Sequence, residues 1–142
     1  DLGYMGRLVF VQDLSAVTAA CMMIPRKVWE ETGGLDESFE VAFNDVDFCL
    51  KVRAAGYLVV YAPYAVMHHY ESKSRGLEDT PEKVARFNRE WALVAKRWPD
   101  ILQNGDPYYN PNLTLRKSDF SLRDLLKEKI GEPYKLPEIK EQ

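Results

Sequence analysis

What this chain lacks narrows it before any motif is read. No apolar run comes near the roughly 18 residues that cross a bilayer, so no membrane span is expected. There is no basic excess either. The 19 Lys and Arg stand against 22 Asp and Glu, a net charge of −3, and without a basic field nucleic acid is excluded as a partner. Cysteine is nearly absent: Cys21 and Cys49 offer no CxxC and no zinc spacing. They are expected as two buried thiols in a reducing cytoplasm, one in a strand and one in a helix, rather than as a disulfide. No signal-peptide pattern follows Asp1, so a cytoplasmic location is the expectation. A start at Asp fits either processing or a piece of a longer chain. Internal repeats and low-complexity segments are missing too. What remains is 142 residues, 46% hydrophobic and 29% charged, enough to bury the core of one soluble domain.

The richest stretch is residues 33–56, GGLDESFEVAFNDVDFCLKVRAAG. Glycines bound it at both ends, and Asp36, Glu37, Glu40, Asp45 and Asp47 make its first part strongly negative before Lys51. A helix is predicted from Asn44 as N-cap to about Ala55, with Gly56 at C′ and Asp47 reaching back as in a capping box. Phe48 and Val52 share a stripe with Asp45. One reading of Asp45 and Asp47 is helix capping with a favourable dipole interaction. The other is a catalytic carboxylate held at a helix start behind a glycine-bounded loop.

Along the rest of the chain, RLVFVQ over residues 7–12 reads as a short strand and AVTAACMMI over 16–24 as a strand buried on both faces. Pro25 opens a short helix, RKVWEET, that ends at Gly33. Residues 57–61, YLVVY, form a strand broken by Pro63, and 65–69 form another that carries His68 and His69 to its end. Residues 71–79 are a polar loop. Thr80 caps a long helix with Pro81 at N1, along which Val84, Phe87, Trp91, Val94 and Trp98 make one apolar packing stripe. Residues 103–116 are turn-like, 122–130 make a last short helix, and the PYKLPEIKEQ tail is expected to fray.

For chemistry, Asp45 can accept a proton from an incoming hydroxyl as the new bond forms. A helix N-terminus favours its charged form. Asp47 lies about 200° away around the helix, so both cannot face one substrate. His69, at a strand end beside a polar loop, suits a metal ligand or an anion contact, with a hydrogen-bonded structural histidine as the alternative. His68 would alternate to the other face of that strand. Ser72, Lys73, Ser74 and Arg75 could contact phosphate or form a solvated loop.

The ordered series from AVTAACMMIPRKVWEETGG through FNDVDFCLKVRAAGYLVVY to HHYESKSRG resembles the C-terminal half of a glycosyltransferase family 2 catalytic domain over about residues 15–76. The resemblance implies an α/β fold: the C-terminal portion of a GT-A (nucleotide-diphospho-sugar transferase) fold, a mixed sheet flanked by helices with a long C-terminal amphipathic helix. In that family a Glu-Asp pair at a helix start supplies the general base; here it reads Asn44-Asp45, so Asp45 inherits the role and the glutamate is replaced. The family's histidine, five residues before a serine, falls on His69 with Ser74. His69 is then implied as a metal ligand for Mn or Mg, and Ser74 and Arg75 as contacts to the donor diphosphate. The DxD motif and the nucleotide-binding half are not in these residues. The QxxRW of processive synthases is not matched either, since Val94 stands where Arg97-Trp98 would need glutamine. Closest is non-processive, inverting transfer of a rhamnose-like sugar from a nucleotide-sugar donor to a bacterial surface glycan acceptor, with any contact to the membrane periphery made through the full-length protein.

Residues 1–102 are thus expected as the C-terminal part of the catalytic domain and 103–142 as an irregular, short-helical extension. The fragment alone is expected to be inactive and to self-associate. Two other readings compete. RKVWEETG is close to the REUxEExG core of Nudix hydrolases, but Lys27 replaces its first glutamate, and the upstream glycine and glutamate fall on Gln12 and Thr18; a cation in place of an acid opposes a divalent ion. A non-catalytic binding or assembly module is the third.

Overall fold

In a computed structural model of the protein, the structure describes residues 2–69 and 80–128. The chain divides into two compact units, Asp1–Arg97 and Trp98–Gln142. In the first, 3₁₀ turns at Tyr4–Val9 lead into strand β1, Gln12–Leu14; a 3₁₀ turn at Ala19–Cys21 precedes helix α1, Arg26–Thr32; helix α2, Asn44–Ala54, is followed by strand β2, Val59–Tyr61, and then by helix α3, Pro81–Arg97. The second unit opens with helix α4, Pro99–Asn104.

The two strands pair antiparallel, with Gln12 opposite Tyr61, Asp13 opposite Val60 and Leu14 opposite Val59. Arg53 on α2 donates to the carbonyl of Leu14 at 3.3 Å, fixing the helix to the strand. The core lies between α1, α2 and β2 and consists of Val28, Phe48, Cys49, Val52 and Val59. Trp29 of α1 stacks against Phe48 with ring centroids 5.4 Å apart. Asp47, Phe48, Cys49, Leu50 and Val52 are all buried, so α2 is enclosed on most of its circumference and has no single wet face through its middle.

The adjacent glycines that end α1 do different work. Gly33 takes φ 75° and caps the helix in the left-handed conformation, where a side chain would be strained. Gly34 lies so close to Trp29 that a Cβ there would come within 2.6 Å of the indole. The pair therefore lets the chain turn tightly under Trp29 and head for α2.

Several sequence expectations change. The strand predicted over 7–12 is replaced by 3₁₀ turns, with positive φ at Met5 and Gly6, and pairing begins only at Gln12. The run over 16–24 is not a strand. Ala16, Val17, Met22 and Ile24 pack on the core, while Ala19–Cys21 form a 3₁₀ turn that Thr18 caps, and Met23 is 98% exposed. A strand there would put alternate residues on opposite faces; here the apolar residues at the ends of the run bend round the core and its middle faces out. Cys21 is accordingly exposed and only Cys49 is buried, both as free thiols. Residues 65–69 are not a strand either, and His68 and His69 are both exposed, so the alternation argument that separated them no longer applies. The polar loop over 71–79 lies outside the described residues.

In the second unit, Leu113 bridges Leu122, and the amide of Arg123 donates to the carbonyl of Asn112 at 2.8 Å. This backbone pairing replaces the start of the helix expected over 122–130, of which 129–130 lie outside the described residues, as does the tail. Thr114 is buried and donates its hydroxyl to the Glu128 carboxylate at 2.7 Å.

Candidate active site

Helix α2 starts in an unusual way. Its N-cap is Phe43, not Asn44, and Phe43 sits in the left-handed region at φ 62° with no side-chain cap. That conformation costs a non-glycine residue about 1–2 kcal/mol. The Phe43 ring packs 4.9 Å from that of Phe87 and 5.7 Å from that of Trp91, both on α3, and such pairs contribute about 0.5–1.5 kcal/mol each, enough to offset the strain. Asn44 becomes the first helical residue, and its Oδ1 accepts the amide of Asp45 at 2.7 Å.

The same face of α3 carries two charges that reach the loop before α2. Glu90, 2% exposed, accepts the amide of Val41 on Oε1 at 3.3 Å and that of Ala42 on Oε2 at 2.5 Å. Arg86 lies 3.8 Å from its Oε1. Seven residues on, Arg97 Nη1 stands 2.9 Å from both Asp36 Oδ2 and Asp47 Oδ1 and covers the buried Phe39 ring at 5.3 Å. Lys51 adds a second cation 3.7 Å from Asp47 Oδ2.

Asp47 is therefore not the capping-box residue the sequence suggested. It is wholly buried and serves as an anion inside the domain, because an arginine fifty positions away in sequence reaches it. Burial opposes the Arg97 charge, but Asp47 and then Asp36 more than offset this, so its pKa is raised. The Asp36 carboxyl is lowered to about 2, first by the amide and hydroxyl of Ser38 against the opposing effect of burial, then by Arg97.

Asp45 stands apart from this network, half-buried in the first turn of α2. Its Oδ2 accepts the amide of Ala19 at 3.1 Å and its Oδ1 that of Val46 at 2.9 Å. The 3₁₀ turn that replaced the expected strand is thus the element that orients the carboxylate. A carboxylate can accept about four hydrogen bonds, so two amides leave it capacity for a hydroxyl.

Of the other residues expected at the site, His69 is exposed beyond β2, and Ser74 and Arg75 lie outside the described residues. No group of three or more His, Cys, Asp or Glu among the described residues is placed to hold a metal ion. The described part does not complete a metal centre by itself, and His69 offers it one imidazole. Within the Nudix-like octet, Glu30 pairs with Arg26 at 3.7 Å and Glu31 accepts the Tyr57 hydroxyl at 2.8 Å, so both acids have local partners.

Sequence reading missed Glu90, Arg97, Asp36 and Phe43. A signal for two of them was present. Phe87, Glu90, Val94 and Arg97 follow one another at spacings of three and four, so both charges lie on the stripe read as apolar packing. A charge on a buried face needs a partner, and here the partners are backbone amides and aspartates of the loop.

A family model described as glycosyltransferase like family 2 matches residues 4–93. An uncharacterized protein, y4gI, of Sinorhizobium fredii is 54% identical over 121 residues, covering 84% of this chain and 13% of that protein. The O-antigen biosynthesis protein RfbC of Myxococcus xanthus is 38% identical over 83% of this chain and 9% of its own length. An N-acetylglucosaminyl-diphospho-decaprenol L-rhamnosyltransferase of Mycobacterium tuberculosis is 27% identical over 57% of this chain and 26% of its own length. This chain therefore spans roughly a tenth of the length of the first two relatives and a quarter of the third. No solved structure matches. With well over half of its residues inside the family match, including β1, α1, α2, β2 and most of α3, the chain belongs to the glycosyltransferase like family 2.

Proposed function

We propose that this chain is the C-terminal, acceptor-side portion of a GT-A catalytic domain and that Asp45 is the general base of an inverting sugar transfer carried out by a longer protein. The observation that carries the reading is the Asp45 carboxylate itself. It is held at a helix start by the amides of Ala19 and Val46, half-exposed, with acceptor capacity left. In the step, the acceptor hydroxyl gives its proton to Asp45 as its oxygen bonds to the anomeric carbon of the donor. The bond from that carbon to the diphosphate breaks on the opposite face, and the configuration inverts. The donor is a nucleotide sugar and the acceptor a glycan. The rhamnosyltransferase and O-antigen names among the relatives favour a rhamnose-like sugar and a bacterial surface polysaccharide. His69, Ser74 and Arg75 are assigned to the diphosphate side. A divalent metal there needs ligands beyond the described residues, and no step is derived through it. The family membership leaves the Nudix reading without support.

Residues 103–142 are read as an extension beyond the catalytic portion. The 142 residues alone are expected to be inactive and to self-associate. A buried strand over 16–24 no longer supports that association. The two-stranded sheet and the exposure of Phe10, Val11, Leu58, Val60 and Met67 support it instead. Asp45→Asn in the longer protein tests the base. Turnover is expected to fall by roughly 10²-fold or more with the fold intact, the usual scale for losing a general base; near-normal turnover sinks the assignment. Titration of the 142-residue chain with manganese and nucleotide sugars should show no tight binding, and sedimentation should show more than a monomer.

A further inference from the structure

We propose that Glu90 is a positioning residue for the transfer: by accepting the amides of Val41 and Ala42 it holds the left-handed turn at Phe43 from which α2, and with it Asp45, begins. The inference rests on the reading of Asp45 as the base.

Three observations meet here. First, α2 has no serine, threonine or aspartate at its N-cap, and the N-cap residue makes no side-chain hydrogen bond. The local bonds of Asn44 and Asp45 go to the next amides inside the helix and do not tie it to the loop before it. Second, the two amides just before Phe43 are taken by one buried carboxylate from α3, forty-eight and forty-nine positions further along the chain. A bidentate acceptor constrains orientation as well as distance, and a bond to a charged acceptor is about twice as strong as a neutral one. Third, Phe87 and Trp91, which flank Glu90 on the same helix, hold the Phe43 ring. Side chains and backbone of the turn are thus gripped by three residues within five positions. Asp45 lies two residues beyond Phe43, so a rotation of the turn swings its carboxylate away from the amide of Ala19. Glu90 touches no reacting atom; its effect reaches the chemistry only through the backbone.

The test uses Glu90→Gln and Glu90→Ala in the longer protein, with the same substitutions followed by amide NMR in this chain. Glutamine keeps the shape and one acceptor oxygen but turns an NH2 towards the second amide. The expected pattern is a graded fall in kcat, about tenfold for Gln and up to 10²-fold for Ala, the scale known for misplacing a reacting group by an ångström. The donor KM stays within about twofold, since Glu90 makes no donor contact. In the NMR experiment the Val41 and Ala42 amides lose exchange protection, and the Ala19 and Val46 amides, which bond to Asp45, shift with them. A purely structural role predicts a lower melting temperature but an unchanged kcat per folded molecule and unmoved Ala19 and Val46 signals. Either of those results in Glu90→Gln, whose shape preserves folding, overturns the proposal. Asp45→Asn run in parallel separates the two ideas. Retained turnover there removes the base reading, whereas the Ala19 and Val46 signals answer for Glu90 whatever the turnover.

Discussion

Helix α2 is held from two sides by different physics. Towards α1 and β2 it meets Val28, Trp29 and Val59 through Phe48, Cys49 and Val52, a contact of apolar area and ring stacking. Towards α3 and the preceding loop it is held by Arg97 on Asp47 and, one turn before the helix, by Glu90 on the amides of Val41 and Ala42. The apolar side is non-directional: it tolerates small slides as long as area stays buried. The polar side is directional and weak in net energy, since burying charges costs nearly what pairing them returns. The first side supplies stability and the second supplies aim. In the role proposed for it, the Asp45 carboxylate at the junction needs both, because burial alone leaves its orientation open by more than catalysis tolerates.

That division can be broken from either side. On the apolar side, Phe48→Ala should cost about 3–5 kcal/mol in chemical denaturation, the range for deleting a buried phenylalanine. A loss under about 1 kcal/mol would remove Phe48 as the centre of the core. On the polar side, Arg97→Met should cost about 2–4 kcal/mol, because it leaves Asp47 buried without its arginine. The double change Asp47→Leu with Arg97→Met should recover most of that loss while still reducing turnover in the longer protein. Full recovery of both would mean that the charges do not aim the helix.

A milder probe is pH. The Asp36 carboxyl is lowered to about 2 in the folded chain from an ordinary value of 3.8. A depressed folded pKa means the stabilisation is complete above about pH 4 and is lost as the pH falls towards 2. The melting temperature should therefore decline over that interval more steeply in the unaltered chain than in Asp36→Asn, which lacks the titrating group. Parallel declines would show that Asp36 contributes nothing through its charge. The smallest effect concerns the thiols. Burial raises the pKa of Cys49, whereas Cys21 is exposed, so a thiol reagent should modify Cys21 readily and Cys49 only on unfolding. Equal rates would mean that the core around Cys49 opens easily.

Elements with a local marker were legible in sequence. The strand expected over 57–61 is β2, Val59–Tyr61, whereas the strands expected over 7–12 and 16–24 and the start of the helix expected over 122–130 are replaced by turns and a bridge. Helix α1 ends at Gly33 as expected, and α3 begins at Pro81, with Thr80 Oγ1 accepting the amide of Lys83 at 3.4 Å. Glycine, proline and threonine act locally, so their signals survive in a single sequence. Helix α2 was found to within a residue at its start, but for the wrong reason. Asn44 was read as the cap, but Phe43 holds that place, its ring received by Phe87 and Trp91 and the amides before it by Glu90. Apolar runs such as 16–24 carry no such marker. The residues that pack on the core and those that point outwards differ little in type, and the choice between strand and turn is made by what lies beside them.

At the site, the sequence by itself determined that a carboxylate would stand at the start of a glycine-bounded helix, that Phe48 and Val52 would share its stripe, and that a long helix with one apolar stripe would follow. Each is a matter of spacing along a helix, a period that the chain carries within a few residues. Only the tertiary structure decided which of the two aspartates is enclosed, that Ala19 would give its amide to Asp45, and that the stripe of α3 would bring Glu90 and Arg97 to the loop. Those contacts join residues 26 to 61 positions apart, depending on the pair. Over such separations the local pattern is silent, and partners are chosen by which buried charge finds an acceptor or donor once the chain has closed on itself.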